Sequence, residues 1–493
     1  MAQYYYCAND YAPLSRLPRP PLAALGRRAA GPLRQGTLQQ LATHLAGLIP
    51  VPLLSSADEG PNSRERLFTL RLTCECFLWQ MLKPDTACRE VVRQVQALAC
   101  WQGGRSVDES ASAYIQARQR LPQDRLERIL AATAQAAGQR AAASTGLQGR
   151  AVKVVDGSSV QLPDTAANQK EYPQPSGQQP GCGFPVLKLG VLFSLASGAL
   201  LDVVMGNLHH HDLRLFHQLW DCLKAGDILL GDRAYGDYVT LAGLPRQGVD
   251  VVARLHQARK VDFRKAKRLG HEDGVFTWPK GCMQSTILTP EQWAGLPEQI
   301  QVRIVRFTAA CRGFRTQRIT LATTLLDAQL YPVAELIALY LRRWRIELCL
   351  RDVKTTLGLE QLRCQSPAMV RKELLAGLIA HNLVRCVMSE AAREHDAELE
   401  RLSFKGAVDA LRQYSAVMGQ ARTHRMKRRL WQDLLRTLAC DLVPLRPGRT
   451  EPRAVKRRPK PFPLLNRPRR KFVELPHRNN RWKGGPRKYQ GLI

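Results

Sequence analysis

The chain has 493 residues, of which 45% are hydrophobic, enough for about three domains with buried cores. Its 73 Lys and Arg outnumber its 42 Asp and Glu, and the net charge of +31 favours a polyanionic partner, most commonly nucleic acid. The length and apolar content argue against a small ribosomal-type protein, and no basic amphipathic segment indicates a membrane-surface protein.

The sequence predicts a cytoplasmic, nucleoid-associated protein without a membrane partner. Residues 1–17 contain Tyr, Asn and Asp where a secretory signal needs an apolar run. The longest apolar stretch, 190–206, is too short to span a bilayer and is typical of two strands. The 13 cysteines include no paired CxxC motif, and Cys74 and Cys76 have no partner pair at zinc-finger spacing. Reduced, buried thiols are therefore expected.

The N-terminal part divides into two regions. Residues 1–60 are rich in Pro, Gly and Arg, which predicts a loosely ordered basic arm with one helix near 38–48. Residues 64–140 have helical spacing of apolar residues, which predicts an all-helical domain, and DNA binding is our hypothesis for its role.

Two helices of that domain, at about 87–98 and 109–121, flank a Gly-Gly break. Such a pair fits a helix-turn-helix, whose second helix would present Arg118 and Arg120 to DNA. An ordinary helical bundle fits the same pattern, and both interpretations stay open.

An α/β core begins at about residue 150. Apolar runs predict strands at 151–162, 186–195, 199–205, 227–231 and 249–255, with helices at 212–224 and 237–246 between them. This first part of the core, 150–255, precedes a β-rich block at 256–330 with strands near 274–278, 301–308 and 318–324. The sequence pattern predicts long helices at 331–395, which form the last part of the core, and further C-terminal helices at 396–440. Residues 441–493, with 16 basic and 3 acidic residues, form a basic, Pro-rich tail.

Two carboxylates follow apolar strands. Asp156 stands in Val-Val-Asp-Gly-Ser, and Asp232 in Leu-Leu-Gly-Asp-Arg. Strand ends are where α/β sheets bind ligands, although an Asp-Gly pair alone is more often a simple turn.

A third acid lies in the pattern Tyr340-x2-Arg343-x3-Glu347-x6-Lys354, within the helix-patterned segment 335–355. At about 100° per residue these four side chains share one sector of roughly 60° on an α-helix. A solvated charged face is the alternative, but the apolar residues on the other sides favour a helix buried nearly all round.

The Tyr-Arg-Glu-Lys spacing, with Asp156 and Asp232 upstream in order, resembles the signature of DDE transposases of the IS-four insertion-sequence family. The resemblance covers about 69–471. It implies an RNase H-like α/β fold, with the block 256–330 inserted in the 115-residue gap between the second and third acids.

The resemblance also implies the chemistry. Asp156, Asp232 and Glu347 would be the catalytic metal ligands for two Mg²⁺ ions, with Mn²⁺ as a substitute. Tyr340, Arg343 and Lys354 would hold double-stranded DNA at the transposon's terminal inverted repeats, and a homodimer on DNA would cleave these ends and join them to target DNA. A repurposed DNA-binding repressor, or a nuclease without strand transfer, remains the alternative.

Two further features carry open interpretations. Trp278, in the β-rich block, would stack on a flipped base or else pack that block's own core. The run His209-His210-His211-Asp212 invites a metal site, but consecutive loop residues point in different directions, which argues against one.

Overall fold

The computed structural model describes residues 48–55, 67–101, 107–141, 146–210, 212–282, 288–309 and 317–444, with Pro468 and Lys471. Most of the predicted N-terminal arm (1–60), most of the predicted helix near 38–48 and most of the predicted basic tail (441–493) lie outside the described residues. The described α-helices are α1 (Val51–Leu54), α2 (Leu70–Leu82), α3 (Cys88–Trp101), α4 (Ser112–Arg120), α5 (Gln123–Arg140), α6 (Ala166–Glu171), α7 (Asp212–His217), α8 (Tyr238–Gly243), α9 (Pro290–Ala294), α10 (Val333–Leu341), α11 (Arg345–Arg351), α12 (Pro367–Glu394), α13 (Phe404–Gln420) and α14 (His424–Cys440).

One nine-stranded sheet organises the molecule, in the order β3-β2-β1-β4-β5-β9-β8-β7-β6. Its strands are β1 (Val152–Gln161), β2 (Val186–Ser194), β3 (Leu200–Gly206), β4 (Ile228–Gly231), β5 (Asp250–Arg254), β6 (Lys267–Gly270), β7 (Asp273–Pro279), β8 (Gln299–Ala309) and β9 (Gln317–Thr323). The first five lie within a few residues of their predicted positions. Strands β1, β4 and β5 are mutually parallel, and β2 and β3 form an antiparallel hairpin beside β1.

The β-rich block extends the core sheet instead of forming a separate unit. β9 pairs antiparallel with β5, through Val252 and Thr323 among others. This pairing covers the edge of β5, which would otherwise expose unpaired backbone groups. A buried ion pair fixes the block, because Arg303 donates to both carboxylate oxygens of Asp273 (2.8 and 2.7 Å) and to the carbonyl of Tyr331 (2.8 Å).

The signature segment is not the single regular helix that its sequence predicts. α10 is followed by a 3₁₀ turn at Arg342–Trp344, then by α11, and then by a π-helical turn at Asp352–Thr356. Gly358 lies just after the π-helical turn and has a φ of +72°, a backbone conformation that glycine adopts readily. The helical segment ends there. The uniform rotation of 100° per residue therefore fails over 335–355.

Helix α12 is the central helix of the molecule. It is long and apolar enough for a membrane span, but it is almost entirely buried by α2, α5, α14 and the sheet, as a core helix of a folded domain is. The helices α2, α3 and α4 share a small core that includes Cys76, Val92 and Tyr114. The cysteines of the described residues are free, but only four of them are buried, so the expectation of buried thiols is wrong for the others.

Candidate active site

Asp156 and Asp232 occupy equivalent positions on neighbouring parallel strands. Val154 of β1 pairs with Leu230 of β4, and each acid stands two residues further along its strand's direction. The carboxylates line a common open cavity of ≈ 490 Å³, together with Lys188, Asp212, Tyr235 and Lys354. Two acids from different strands thus meet at the carboxyl edge of the sheet.

Backbone amides orient both carboxylates. Asp156 accepts a hydrogen bond from the N–H of Gly157 (2.8 Å), and Asp232 accepts one from the N–H of Ala234 (2.8 Å), which caps a short 3₁₀ turn. Among the described residues neither acid has an ion-pair partner. Neither charge is therefore neutralised by a direct ion pair.

The pKa of Asp156 reflects its burial. It is raised to about 6, mainly by burial and to a smaller extent by the nearby charges of Asp232 and Glu347. The hydrogen bond from Gly157 and the guanidinium of Arg343 act in the opposite direction. Asp232 and Glu347 are therefore close enough for their charges to act on Asp156.

Glu347 is close to this site but is directed towards another partner. It lies on α11, which packs against β1, and its Oε1 accepts a hydrogen bond from Nη2 of Arg343 at 3.1 Å. In the part of the chain that the structure describes, no three Asp, Glu, His or Cys side chains are near enough together to hold a metal ion. The side chain of Glu347 is 45% exposed, so it has room to adopt another rotamer.

The other signature residues surround Glu347. The Arg343 guanidinium is buried beside the rings of Tyr340 (5.9 Å) and Trp344 (5.7 Å), and its Nε has no hydrogen-bond partner among the described residues. Lys354 reaches the cavity of the two aspartates. Tyr340, however, is 2% exposed and belongs to the core, so it offers no surface for the predicted DNA contact.

Sequence reasoning missed several residues of the site. Lys188 on β2 pairs with Asp212 (2.9 Å) and donates to the carbonyl of His210 (2.8 Å), and Tyr235 lines the same cavity as both aspartates. Asp212 ends the run of three histidines, whose sequence suggests a metal site and not a partner for Lys188. Arg254 is the last residue of β5, and Asp232 directly follows the last residue of β4. The position of Arg254 at a strand end is therefore a signal in the sequence that could have identified it as a site residue.

A basic cavity adjoins the acidic one. It has a volume of ≈ 370 Å³ and is lined by Arg233, Arg254, His256, Arg259, Lys260, Arg306 and Arg318, among others. Glu272 pairs with Arg306 and Arg318 of this set. The proximity of Arg254 to Asp232 and Arg343 joins this basic surface to the acids.

Three predicted DNA contacts have different surroundings. Trp278 is 9% exposed and packs in a hydrophobic core that the β-rich block shares with the rest of the sheet. The Arg259 guanidinium lies 4.2 Å from its ring centroid. The burial of Trp278 favours the interpretation that it is a core residue. Arg120 is exposed at the end of α4. Arg118, by contrast, is buried and points inwards, so it cannot read DNA from the outer face of that helix.

Comparisons with known proteins identify transposases as relatives of this chain. Residues 147–383, which contain all three acids, match the family model of the transposase DDE domain. The chain is 24% identical over 436 residues to the transposase InsG for insertion sequence element IS4 of Escherichia coli (strain K12), a match that covers 87% of this chain and 95% of that relative. A cryo-EM structure of a piggyBac transposase synaptic complex with hairpin DNA is a distant likeness, with 8% identity, a TM-score of 0.39 and coverage of 82% and 84% of the two chains. The family-model match and the 24% identity over most of the chain support an IS4-family DDE transposase.

Proposed function

We propose that this transposase cleaves the ends of its element and joins them to target DNA by metal-dependent phosphoryl transfer, with Asp156, Asp232 and Glu347 as the catalytic carboxylates. The observation that carries the proposal is the meeting of Asp156 and Asp232 at the ends of two parallel strands, in one open cavity with Lys354. The raised pKa of Asp156 supports it, because a carboxylate that is buried beside other acids is one that a bound cation would stabilise.

The donor set fits a hard divalent cation. Carboxylate oxygens are the ligands that Mg²⁺ prefers, and Asp156 and Asp232 have no competing ion pair among the described residues. Glu347 would join them when its carboxylate leaves Arg343. Bound Mg²⁺ or Mn²⁺ would supply activation of a water or 3′-hydroxyl and stabilisation of the leaving oxygen.

The chain's own cations would hold the substrate. Release from Glu347 would free the guanidinium of Arg343 for a DNA phosphate, and Lys354 already reaches the same cavity as the aspartates. The basic cavity around Arg254 would continue this contact along the strand. Together these groups orient a phosphodiester against the acids, and orientation is the main contribution of a protein to phosphoryl transfer.

The decisive test uses the purified full chain and linear DNA that carries the inverted repeats flanking its gene, with Mg²⁺ or Mn²⁺. D156N, D232N and E347Q should each lose cleavage while binding the ends normally, because loss of negative charge does not weaken the grip on a polyanion. D221N removes an exposed carboxylate outside the cavity and should cleave like the wild type. Cleavage by D156N would refute the proposed site.

The same assay separates the alternatives. The bond between Arg343 and Glu347 is the observation that favours an inactive, DNA-binding descendant, because it keeps the third acid away from the other two. Such a protein would bind the ends and leave them uncut with either metal. A nuclease would cut them and form no joined product.

A further inference from the structure

A cavity of ≈ 710 Å³ lies between the N-terminal helices and the segment that follows the signature, away from the acidic site. Helices α2 and α4 and the start of α3 form one wall, with Gln80, Arg118 and Cys88. The opposite wall comes from the chain around Cys364 and Ser366 and the first turns of α12. Any molecule in this cavity would contact both parts of the protein.

The cavity contains a buried guanidinium without a charged partner. Arg118 is 7% exposed, yet among the described residues it forms no ion pair, and its Nε has no hydrogen-bond partner. Its Nη atoms donate to weak acceptors, the thiols of Cys88 and Cys364 (3.1 Å each), and to Gln80 Oε1 at 3.4 Å. The Phe77 ring, 4.2 Å away, supplies only partial compensation. A buried cation with so few partners calls for an anion.

The two acids that line the cavity are engaged elsewhere. Glu373 accepts hydrogen bonds from the backbone N–H groups of Arg363 (3.0 Å) and Cys364 (2.9 Å). Asp85 pairs with the side chain of Arg363 at 2.6 Å, near the surface. Neither carboxylate is bonded to Arg118, although the charge of Glu373 is felt by it.

Two helix N-termini open on the same cavity. Helix α3, of 14 residues, begins at Cys88, and helix α12, of 28 residues, begins after Ser366. The side chain of Ser366 makes no capping hydrogen bond, and the first turn of α12 contains no acid, whereas the first turn of α3 contains Glu90, which pairs with Lys83. Free N–H groups and the positive end of a helix dipole attract anions, so α12 adds most to the charge of Arg118.

We propose that this cavity is a binding site for an oxyanion of the phosphate class, held by Arg118 between the N-termini of α3 and α12. Planar guanidinium donors and helix N–H groups are the common ligands of phosphate in proteins. The source is either free phosphate or the terminal phosphate of a DNA strand, since Arg118 is buried too deeply for the backbone of a continuous duplex. The site is independent of the proposed catalytic carboxylates, and its occupant would tie the helical domain to the core.

The test compares the melting temperature of the full chain in sodium phosphate and in sodium chloride of equal ionic strength. A bound anion stabilises the folded state, so the melting temperature should rise with the logarithm of phosphate concentration above the Kd. R120M, which removes an exposed cation from the same helix, should respond like the wild type. R118M should respond at least about tenfold more weakly in apparent affinity. An equal rise in R118M would overturn the proposal.

Thiol labelling of the wild type covers the case in which R118M does not fold. Phosphate should slow the alkylation of Cys88, followed by mass spectrometry, and leave the exposed Cys100 and Cys440 unaffected as internal controls. Unchanged labelling of Cys88 would overturn the site. Protection by a 5′-phosphorylated single strand, compared with the same strand without its phosphate, would identify a DNA end as the source, and protection by inorganic phosphate alone would identify the free ion.

Discussion

At the scale of single residues, the acids differ more in their surroundings than their positions in the sequence suggest. Asp156 is largely buried and has no ion-pair partner among the described residues, Asp232 caps a turn, and Glu347 is half-exposed and bonded to Arg343. The sequence predicts which residues are acidic and where strands end. It does not predict the bond between Arg343 and Glu347, which depends on rotamers and on the local break in the helix.

The pKa of Asp156 predicts a pH dependence of stability in the metal-free protein. Because the folded-state pKa, about 6, lies above the ordinary value of 3.8, the stabilisation linked to this group is present at low pH and is lost as the pH rises through about 6. D156N has no such titration. Its melting temperature should therefore rise relative to that of the wild type between pH 4 and 7.

Thermal melts of both proteins in chelator across this range measure the effect, with D221N as the control for total charge. Excess Mg²⁺ should reverse the difference at pH 7, because the cation stabilises only the carboxylate form. A constant offset between D156N and the wild type at all pH values would show that Asp156 titrates normally in the folded protein.

Arg343 gives a second prediction, on the DNA complex. If its guanidinium moves from Glu347 to a phosphate, R343A should bind the transposon end more weakly and with a salt slope smaller by about one unit of log K per log salt. R342A, which removes the neighbouring cation bonded to Glu400, should alter the slope less. Filter binding or fluorescence anisotropy at several salt concentrations measures both. An unchanged slope in R343A would leave Arg343 as a structural partner of Glu347 only.

At the scale of elements, regular periodicity predicts some parts of the molecule well and others poorly. The apolar runs of β1, β2 and β4 are short and flanked by turn residues, so their strands are predicted to within a few residues. The signature segment fails this test, because the π-helical turn at Asp352–Thr356 arises from packing and leaves no mark on residue spacing. The pairing of β9 with β5 is likewise a long-range contact that no local pattern encodes.

The buried pair of Arg303 and Asp273 predicts how the β-rich block is attached. Arg303 is fully buried, so R303M should leave an uncompensated carboxylate and destabilise the protein by about 3–5 kcal/mol. Chemical denaturation measures this change. The double variant R303M/D273L should recover much of the loss, since it removes both charges together.

The exposed pair of Arg264 and Asp262 is a matched control, and R264M should change stability little. A small effect of R303M would mean that β5–β9 pairing alone holds the block.

At the scale of the whole molecule, charge and topology together produce a surface suited to DNA. The net charge of +31 was evident from the sequence, and the fold gathers part of it into the basic cavity beside Asp232. Residue order predicts that Asp156, Asp232 and Glu347 come from separate elements of one core. The inward direction of Arg118 could not be predicted, because it depends on how α4 packs against the chain around Cys364.

The last prediction concerns assembly, for which we propose a dimer that bridges two transposon ends with help from the basic tail. The described chain remains tied down as far as Pro444, since Ser403 N–H donates to the Asp441 carbonyl and Val443 N–H to that of Arg401. A chain truncated after Pro444 keeps these contacts and loses all 16 basic residues of the tail. It should form paired-end complexes less well, by a larger factor than it loses single-end binding, because pairing brings two polyanions together. Native gel shifts measure both kinds of complex, when two labelled DNA ends of different length are supplied singly or together.

A full-length variant with the tail's Lys and Arg changed to Gln should behave like the truncation if charge is the cause. Equal losses in single-end and paired-end binding would reduce the tail to a non-specific contact with DNA.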